Sequence, residues 1–255
     1  MRGLFLWPAV CKCEVLVHLK CIVVCSGKGG TGKSCVAAYT SVALASAGKR
    51  VLLIELAGNT RSIEIILGVR EAAFGALDIF AGQCKVGDAI LEVENVHGLF
   101  FLPAGDGPPP EDERPMRRLL NSVAEYYDFV VIDGGQLYCL PVTLCNMFLM
   151  VTTPDTLSVR ACSVLSRQLT QAGAREVRLI INNIPPRIIP IAGAQDFDDV
   201  IDIIGARLIA LIPASPCLAY CSNNAQPLDP DSLTIKEFGC LAGRLVGKRI
   251  PLLIR

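Results

Sequence analysis

The sequence predicts a three-layer α/β fold, doubly wound about a mostly parallel sheet of about seven to eight strands flanked by helices. Three observations carry this. Short apolar runs alternate with longer amphipathic stretches along the chain. The runs are near-continuous in Val, Ile and Leu, the composition of strands buried on both faces. Strand and helix patterns follow one another in turn, as parallel sheets with crossover helices require.

The elements fall in this order. "CIVVC" (21–25) is the first strand; a glycine-rich turn leads to a small-residue helix over 32–47. "RVLLIEL" (50–56) precedes short helices at 61–67 and 76–81. "GLFFLPA" (98–104) runs into "PAGDGPPPEDERP" (103–115), the most breaker-rich stretch. Lying between a strand and the helix at 112–126, it reads as a surface loop and not a domain linker. "DFVVID" (128–133) and "MFLMVTT" (147–153) follow, then a helix over 155–172. "VRLIINN" (177–183), a helix at 196–204 and "ARLIALIP" (206–213) complete the strands, and helices at 215–223 and 231–247 close the pattern.

The chain has 255 residues, 24 basic and 24 acidic side chains and 52% apolar composition. That length suits one large α/β domain with a well-buried core, placed at residues 18–255. Residues 1–17, "MRGLFLWPAVCKCEVLV", resemble a poor signal peptide without a small-residue cleavage site, and are too short to span a bilayer. They read as a non-functional leader, an over-called start. The other apolar runs are short and broken by Pro, Gly or charge, so none is a transmembrane candidate, and a cytoplasmic protein, at most peripheral on the inner face of the cell membrane, is expected. Balanced charge supplies no global argument for nucleic acid. Twelve cysteines form no C-x-x-C, and His18 and His97 stand apart, which leaves zinc and redox motifs unsupported. Most cysteines lie in apolar runs and read as small buried hydrophobes in a reducing compartment.

The chemistry concentrates in "CSGKGGTGKSC" (25–35). Gly27, Gly32, Lys33 and Ser34 meet every fixed position of G-x-x-x-x-G-K-[ST], with a buried strand before and a helix after. Glycines let backbone N–H groups turn inward around phosphates, and the helix N-terminus adds partial positive charge. Nucleotide phosphates and Mg²⁺ are therefore the expected ligands. Contacts to the nucleotide are assigned to Gly27, Lys28, Gly29, Gly30, Thr31, Gly32, Lys33, Ser34 and Cys35. Lys33 is to reach the β/γ-phosphates and the Ser34 hydroxyl is to bind the metal. One lysine suffices for that cradle, yet the loop carries Lys28 as well.

"SGKGGTGKS" resembles the deviant Walker A loop, K-G-G-x-G-K-[ST], of the MinD/ParA family of P-loop ATPases, a SIMIBI-type fold. In that family the early lysine crosses a dimer interface to the partner's nucleotide phosphates. The resemblance implies an ATP-dependent homodimer in which Lys28 acts in trans. Further stretches look like the septum-site-determining MinD branch. "GKRVLLIELAGNTRSIEIILG" (48–68) resembles its second strand and switch I, and "YDFVVIDGG" (127–135) its Walker B and switch II. "VTTPDTLSVRACSVLSRQL" (151–169) resembles its VTTPE-x-x-SVRDADR segment. "LIINNIPP" (179–186) and "IALIPASPCLAYCSNNAQPL" (209–228) imply that Asn182 faces the adenine and Pro213 lies beside it. The resemblance runs from about residue 20 to residue 251 and implies a division regulator or other protein partner near Arg61 to Glu64.

Departures bear on mechanism. The family's second strand ends in Asp-x-Asp, the first aspartate organising Mg²⁺ and the second positioning the attacking water; here Glu55 and Ala57 stand there. Glu55 keeps a carboxylate for catalysis beside Lys28, Lys33 and Asp133, whereas Ala57 can neither orient a water nor accept a proton. Either turnover is weak or lost, with Glu55 or Glu64 as the groups able to substitute, or Ala57 is tolerated in a slow subfamily. Asp133 is retained as a metal residue with Ser34, but Asp133-Gly134-Gly135-Gln136-Leu137 replaces Asp-x-Pro-Ala-Gly, and its two glycines are expected to loosen switch II. The chain ends in "GKRIPLLIR" (247–255), under two helical turns past the core, so membrane association is expected to be weak or absent.

Three functions follow from these readings. The leading one is an ATP-dependent dimerising switch with weak Mg²⁺-dependent hydrolysis, acting in division-site placement. A non-hydrolysing nucleotide-sensing adaptor is the second, and a ParA-like DNA partition ATPase the third. Neutral net charge argues against the last.

Overall fold

The computed structural model describes residues 19–56, 61–69, 72–134, 140–185, 196–224 and 232–252. Its strands are β1 (Lys20–Cys25), β2 (Val51–Glu55), β3 (Leu91–Glu92), β4 (Leu99–Leu102), β5 (Phe129–Asp133), β6 (Met147–Thr152), β7 (Val177–Ile184) and β8 (Arg207–Pro213). They form one eight-stranded sheet in the order β3-β4-β2-β5-β1-β6-β7-β8. Every pairing is parallel except the short antiparallel β3–β4 edge. The expected doubly wound sheet is therefore present.

Side-chain alternation divides the core into two layers. On β1, Cys21, Val23 and Cys25 face one layer while Ile22 and Val24 face the other. The second layer is completed by α1 (Lys33–Ser46), α2 (Ser62–Leu67), α8 (Pro216–Asn223) and α9 (Leu233–Leu245). The first is completed by α3 (Ala76–Phe80), α4 (Val86–Ala89), α5 (Arg114–Val123), α6 (Thr156–Gln171) and α7 (Phe197–Ile204). With both faces covered, the central strands carry no polar face, which is why their sequences read as unbroken apolar runs.

Two elements depart from the sequence pattern. α4 and β3 span four and two residues, too few to show a period. All seven sequence-predicted strands and eight sequence-predicted helices occur within a few residues of their expected bounds. In the last turn of α9, Arg244 donates to the carbonyls of Ile209 (2.9 Å), Ile250 (3.0 Å) and Pro251 (2.7 Å). Ile250 lies so close to α9 that a Cβ on Gly243 would sit 2.3 Å from its Cδ1. Residues 1–18, which include the expected leader and His18, and 253–255, the end of the "GKRIPLLIR" stretch, lie outside the described residues.

Candidate functional site

β1 is a central strand, flanked by β5 and β6, and its C-terminal end opens into the glycine-rich loop. Open α/β sheets bind ligands in this place, beyond the carboxyl ends of strands where the chain changes direction. Gly30 and Gly32 adopt φ of +80° and +86°, the left-handed region that a side chain disfavours. A Cβ on Gly27 would lie 2.4 Å from the Ala161 carbonyl carbon on α6, and one on Gly32 would lie 2.4 Å from Asn182 Nδ2. Gly29 has neither constraint: a Cβ there meets nothing within 4 Å. Close approach of a ligand to the backbone is the physical reason left for glycine at that position.

The start of α1 differs from those of α6 to α9. Side-chain oxygens of Asp155, Asp196, Ser215 and Ser232 cap α6, α7, α8 and α9, each accepting from a first-turn N–H. Gly32 caps α1 and supplies no side chain, so no side-chain cap engages its first-turn N–H groups. Together with the loop glycines this is a cradle for an anion, and phosphate fits it. Ser34 and Cys35 are half-buried in that first turn.

Asn182, on β7, is 7% exposed, and its Nδ2 donates to the Thr31 carbonyl at 2.8 Å. Its amide braces the loop from behind. Pro213 ends β8, in register with Ile184 of β7, and is half-buried. Cys35 Sγ lies 3.4 Å from Ser222 Oγ on α8, which is also 3.4 Å from the Tyr39 hydroxyl. Burial pushes the Cys35 thiol up, only partly opposed by the Ser222 hydrogen bond, so it packs as a neutral thiol despite its place at a helix N-terminus.

Beneath the loop, Lys33 Nζ bonds to Oδ1 of Asp133, which is fully buried at the end of β5. Glu55 ends β2 directly opposite Asp133 and is 1% exposed. Its Oε1 accepts weakly from the Ile63 N–H at 3.4 Å. Glu55 Oε2 and Asp133 Oδ2 are buried without a hydrogen-bond partner. Two buried carboxylates with unused oxygens around one lysine favour a hard divalent cation, and Mg²⁺ fits that donor set with the Ser34 hydroxyl close by in sequence. Burial, reinforced by the negative charges of Asp133 and Glu64, pushes Glu55 up to about 7, against the opposing pull of the Ile63 N–H and Lys33.

That shift has a sign. The fold favours protonated Glu55, so the unfolded chain releases its proton first, and stability falls as pH rises from about 4.5 to about 7. The deficit reaches about 3 kcal/mol and stays constant above that window. In metal-free, nucleotide-free protein, Glu55→Gln is expected to flatten this slope. Denaturant titrations at pH 5 and pH 8 should show the variant gaining stability over the native chain only at the higher pH. An unchanged slope would place the Glu55 proton elsewhere.

Lys28 lies on the exposed side of the loop. Its Nζ is 3.5 Å from Asp155 Oδ1, and the two side chains are 44% and 45% exposed. Burial opposes ionisation of Asp155, yet hydrogen bonds from Ser158 and Thr153 and the charge of Lys28 hold its carboxyl well below the usual range. Sequence reasoning did not single out Asp155; the available signal was its D-x-x-S spacing to Ser158 at the α6 N-terminus. Gly134, which follows Asp133, is packed against β1. It is buried, its N–H donates to the Val24 carbonyl at 3.0 Å, and a Cβ would lie 2.9 Å from Val23 Cγ1. This glycine permits close packing against β1. Ala57 and residues 135–137, including Gln136, lie outside the described residues.

Arg61 begins α2 with φ of +43° and its Nη2 lies 3.4 Å from Asp106 Oδ2; Glu64 is half-buried on the same helix. Among the described residues, no group of three or more His, Cys, Asp and Glu side chains is arranged to hold a metal, and no helix is long and apolar enough to cross a membrane.

A family model described as the CobQ/CobB/MinD/ParA nucleotide binding domain matches residues 22–228, from β1 past α8. The septum site-determining protein MinD of Synechocystis is 27% identical over 244 residues, covering 91% of each chain. That of Bacillus subtilis is 26% identical over 242 residues, covering 91% of this chain and 90% of its own. Among solved structures, the MinC:MinD cell division protein complex of Aquifex aeolicus superposes with a TM-score of 0.82 at 28% identity, covering 92% of this chain and 98% of that one. MinD of Pyrococcus horikoshii complexed with Mg-ADP gives 0.76 at 26% identity, covering 90% and 96%. With the phosphate-type loop, the pair of Lys33 with buried Asp133 and the strands from β1 to β8 inside the matched span, this chain belongs to the CobQ/CobB/MinD/ParA nucleotide-binding family.

Proposed function

We propose that this protein is a MinD-like, ATP-dependent dimerising switch in division-site placement, carried by one Mg²⁺-dependent ATPase domain at residues 18–255. The observation that carries the reading is the division of labour between the two lysines of one loop. Lys33 points inward to the buried carboxylates, whereas Lys28 sits at the surface, paired only with a half-exposed partner. A cation placed there can serve a second subunit; Lys33 cannot.

In this mechanism the loop N–H groups from Gly27 to Cys35 hold the phosphates, and Lys33 exchanges Asp133 for the β/γ-phosphate charge. Ser34 and Asp133 would hold Mg²⁺, with Glu55 beside them. The bound metal ion supplies positive charge against the phosphate oxygens. Asn182 and Pro213 form the wall on the base side, Asn182 by keeping the loop in place. Lys28 leaves Asp155 to compensate charge across the dimer.

The partner surface is assigned to Arg61–Glu64, at the start of α2, the next helix in the chain after the strand that carries Glu55. MinC is the protein found with MinD in the Aquifex complex, and a division regulator of that kind is the partner proposed here. Cytoplasmic localisation is proposed, with any peripheral attachment at the inner membrane face weak. Ala57 supports a second reading, a nucleotide-sensing adaptor that dimerises without hydrolysis.

Dimerisation tests the common core of both. Sedimentation with saturating ATP and Mg²⁺ should give a dimer for the native chain and a monomer with ADP. Lys28→Ala should stay monomeric with ATP while binding the nucleotide with affinity within about threefold of native, because removing an exposed charge costs under ~1 kcal/mol within its own subunit. A native chain that remains monomeric with ATP would overturn the proposal.

A further inference from the structure

Helix α8 carries a pair of thiols that the nucleotide mechanism does not use. Cys217 and Cys221 are one helical turn apart, with Sγ atoms 3.8 Å apart. Cys217 is exposed and Cys221 is 5% exposed. None of the nine described cysteines is disulfide-bonded. We propose that Cys217 and Cys221 form a reversible dithiol–disulfide site, oxidised by low-molecular-weight disulfides of the glutathione type.

The step balances as two exchanges. The Cys217 thiolate attacks the small disulfide, forming a mixed disulfide and releasing one small thiolate. Cys221 then gives its proton to solvent and attacks the Cys217 sulfur, expelling the second small thiolate. Two electrons pass from the protein thiols to the small disulfide, which leaves as two thiols. Exposure makes Cys217 the sulfur reached first. Burial and the neighbouring Cys217 sulfur push the Cys221 thiol up, which suits it to the slower resolving role.

Closure has a structural consequence. Residues four apart on a helix hold their Cβ atoms about 5–6 Å apart, whereas a disulfide requires about 3.8 Å. The sulfurs must also close from 3.8 Å to a bond of about 2.05 Å. α8 therefore has to bend or give up its Cys221-to-Cys217 turn. A bond made under that constraint is strained and easily reduced, the property of labile disulfides and not of structural ones.

Bending α8 moves Ser222, the residue next to Cys221. Ser222 Oγ is 3.4 Å from both Cys35 Sγ and the Tyr39 hydroxyl on α1, the helix that the phosphate-type loop feeds. Ser215, which caps α8, lies two residues after Pro213. Oxidation is thus expected to weaken ATP binding, and this consequence alone rests on the nucleotide-binding reading.

The test incubates the full chain with glutathione disulfide at graded ratios to glutathione, traps free thiols by alkylation, maps the peptides by mass spectrometry and measures ATP affinity. A Cys217–Cys221 disulfide is expected, reversed by a dithiol reductant, with ATP bound roughly five- to tenfold more weakly in the oxidised protein. Cys221→Ser should instead accumulate glutathione on Cys217. Cys217→Ser should form no disulfide on α8 and keep its ATP affinity under oxidant. A stable mixed disulfide at Cys217 in the native chain overturns the site. Closure with unchanged ATP affinity overturns its coupling. If reduced protein binds no ATP, the nucleotide reading fails, while the peptide map still decides the disulfide.

Discussion

Lys33→Ala is expected to weaken ATP binding by about 10²–10³-fold, the loss that follows truncation of one partner in a buried, hydrogen-bonded charge pair. The same substitution leaves Asp133, fully buried, facing Glu55 without their lysine. Uncompensated buried charge costs about 3–5 kcal/mol, so nucleotide-free variant should unfold at markedly lower denaturant. Two carboxylates stripped of their cation also bind a divalent ion more readily. Mg²⁺ alone is therefore expected to raise the Tm of Lys33→Ala more than that of the native chain. Lys33→Arg separates charge from shape: it should recover much of the stability yet little of the ATP affinity, because a planar guanidinium does not reproduce a compact ammonium. Calorimetric ATP titration and Mg²⁺-dependent melting read these outcomes directly. Near-native affinity in Lys33→Ala would mean that the phosphates are held by the loop N–H groups without this side chain.

The sheet was legible because burial on both faces leaves a direct mark. β1, β2 and β5 carry no polar position before Glu55 and Asp133 except Lys20, the exposed first residue of β1. Elements of two and four residues leave no such mark, and β3 and α4 had no sequence signal. Within the site, the loop motif placed Lys33 and Ser34 at the start of α1, and the Walker B resemblance placed Asp133 at the end of a strand. Pairings between distant segments were not legible. The Asn182 amide on the Thr31 carbonyl joins residues 151 apart, and Lys28 is likewise far along the chain from Asp155. Gly134 shows the converse difficulty. A glycine that admits a neighbouring strand looks in sequence like any other loop glycine, and only the Val23 contact identifies it. The unpartnered oxygens of Glu55 and Asp133 likewise emerge from strand register and not from composition.

Ala57→Asp is expected to raise the rate of phosphate release by about 10²–10⁴-fold, the contribution of a positioned acid–base group in the transition state. Position 57 is 24 residues after Lys33 and two after Glu55, where the family resemblance calls for the aspartate that positions water. The substitution adds no phosphate contact, so ATP affinity should stay within about threefold of native, and the gain should fall on kcat. Ala57→Asn is the matched control. It nearly reproduces the shape and can orient a water, but it cannot accept a proton, so a rescue by Asp and not by Asn assigns the effect to the carboxylate. Glu55 offers the competing account. Its carboxyl, raised to about 7 and with Oε2 unpartnered, is a base available near neutral pH. Ready turnover by the native chain, lost in Glu55→Gln and indifferent to Ala57→Asp, would assign the water to Glu55. Silence in the native chain with rescue by Asp alone would identify a switch that binds and dimerises but no longer hydrolyses.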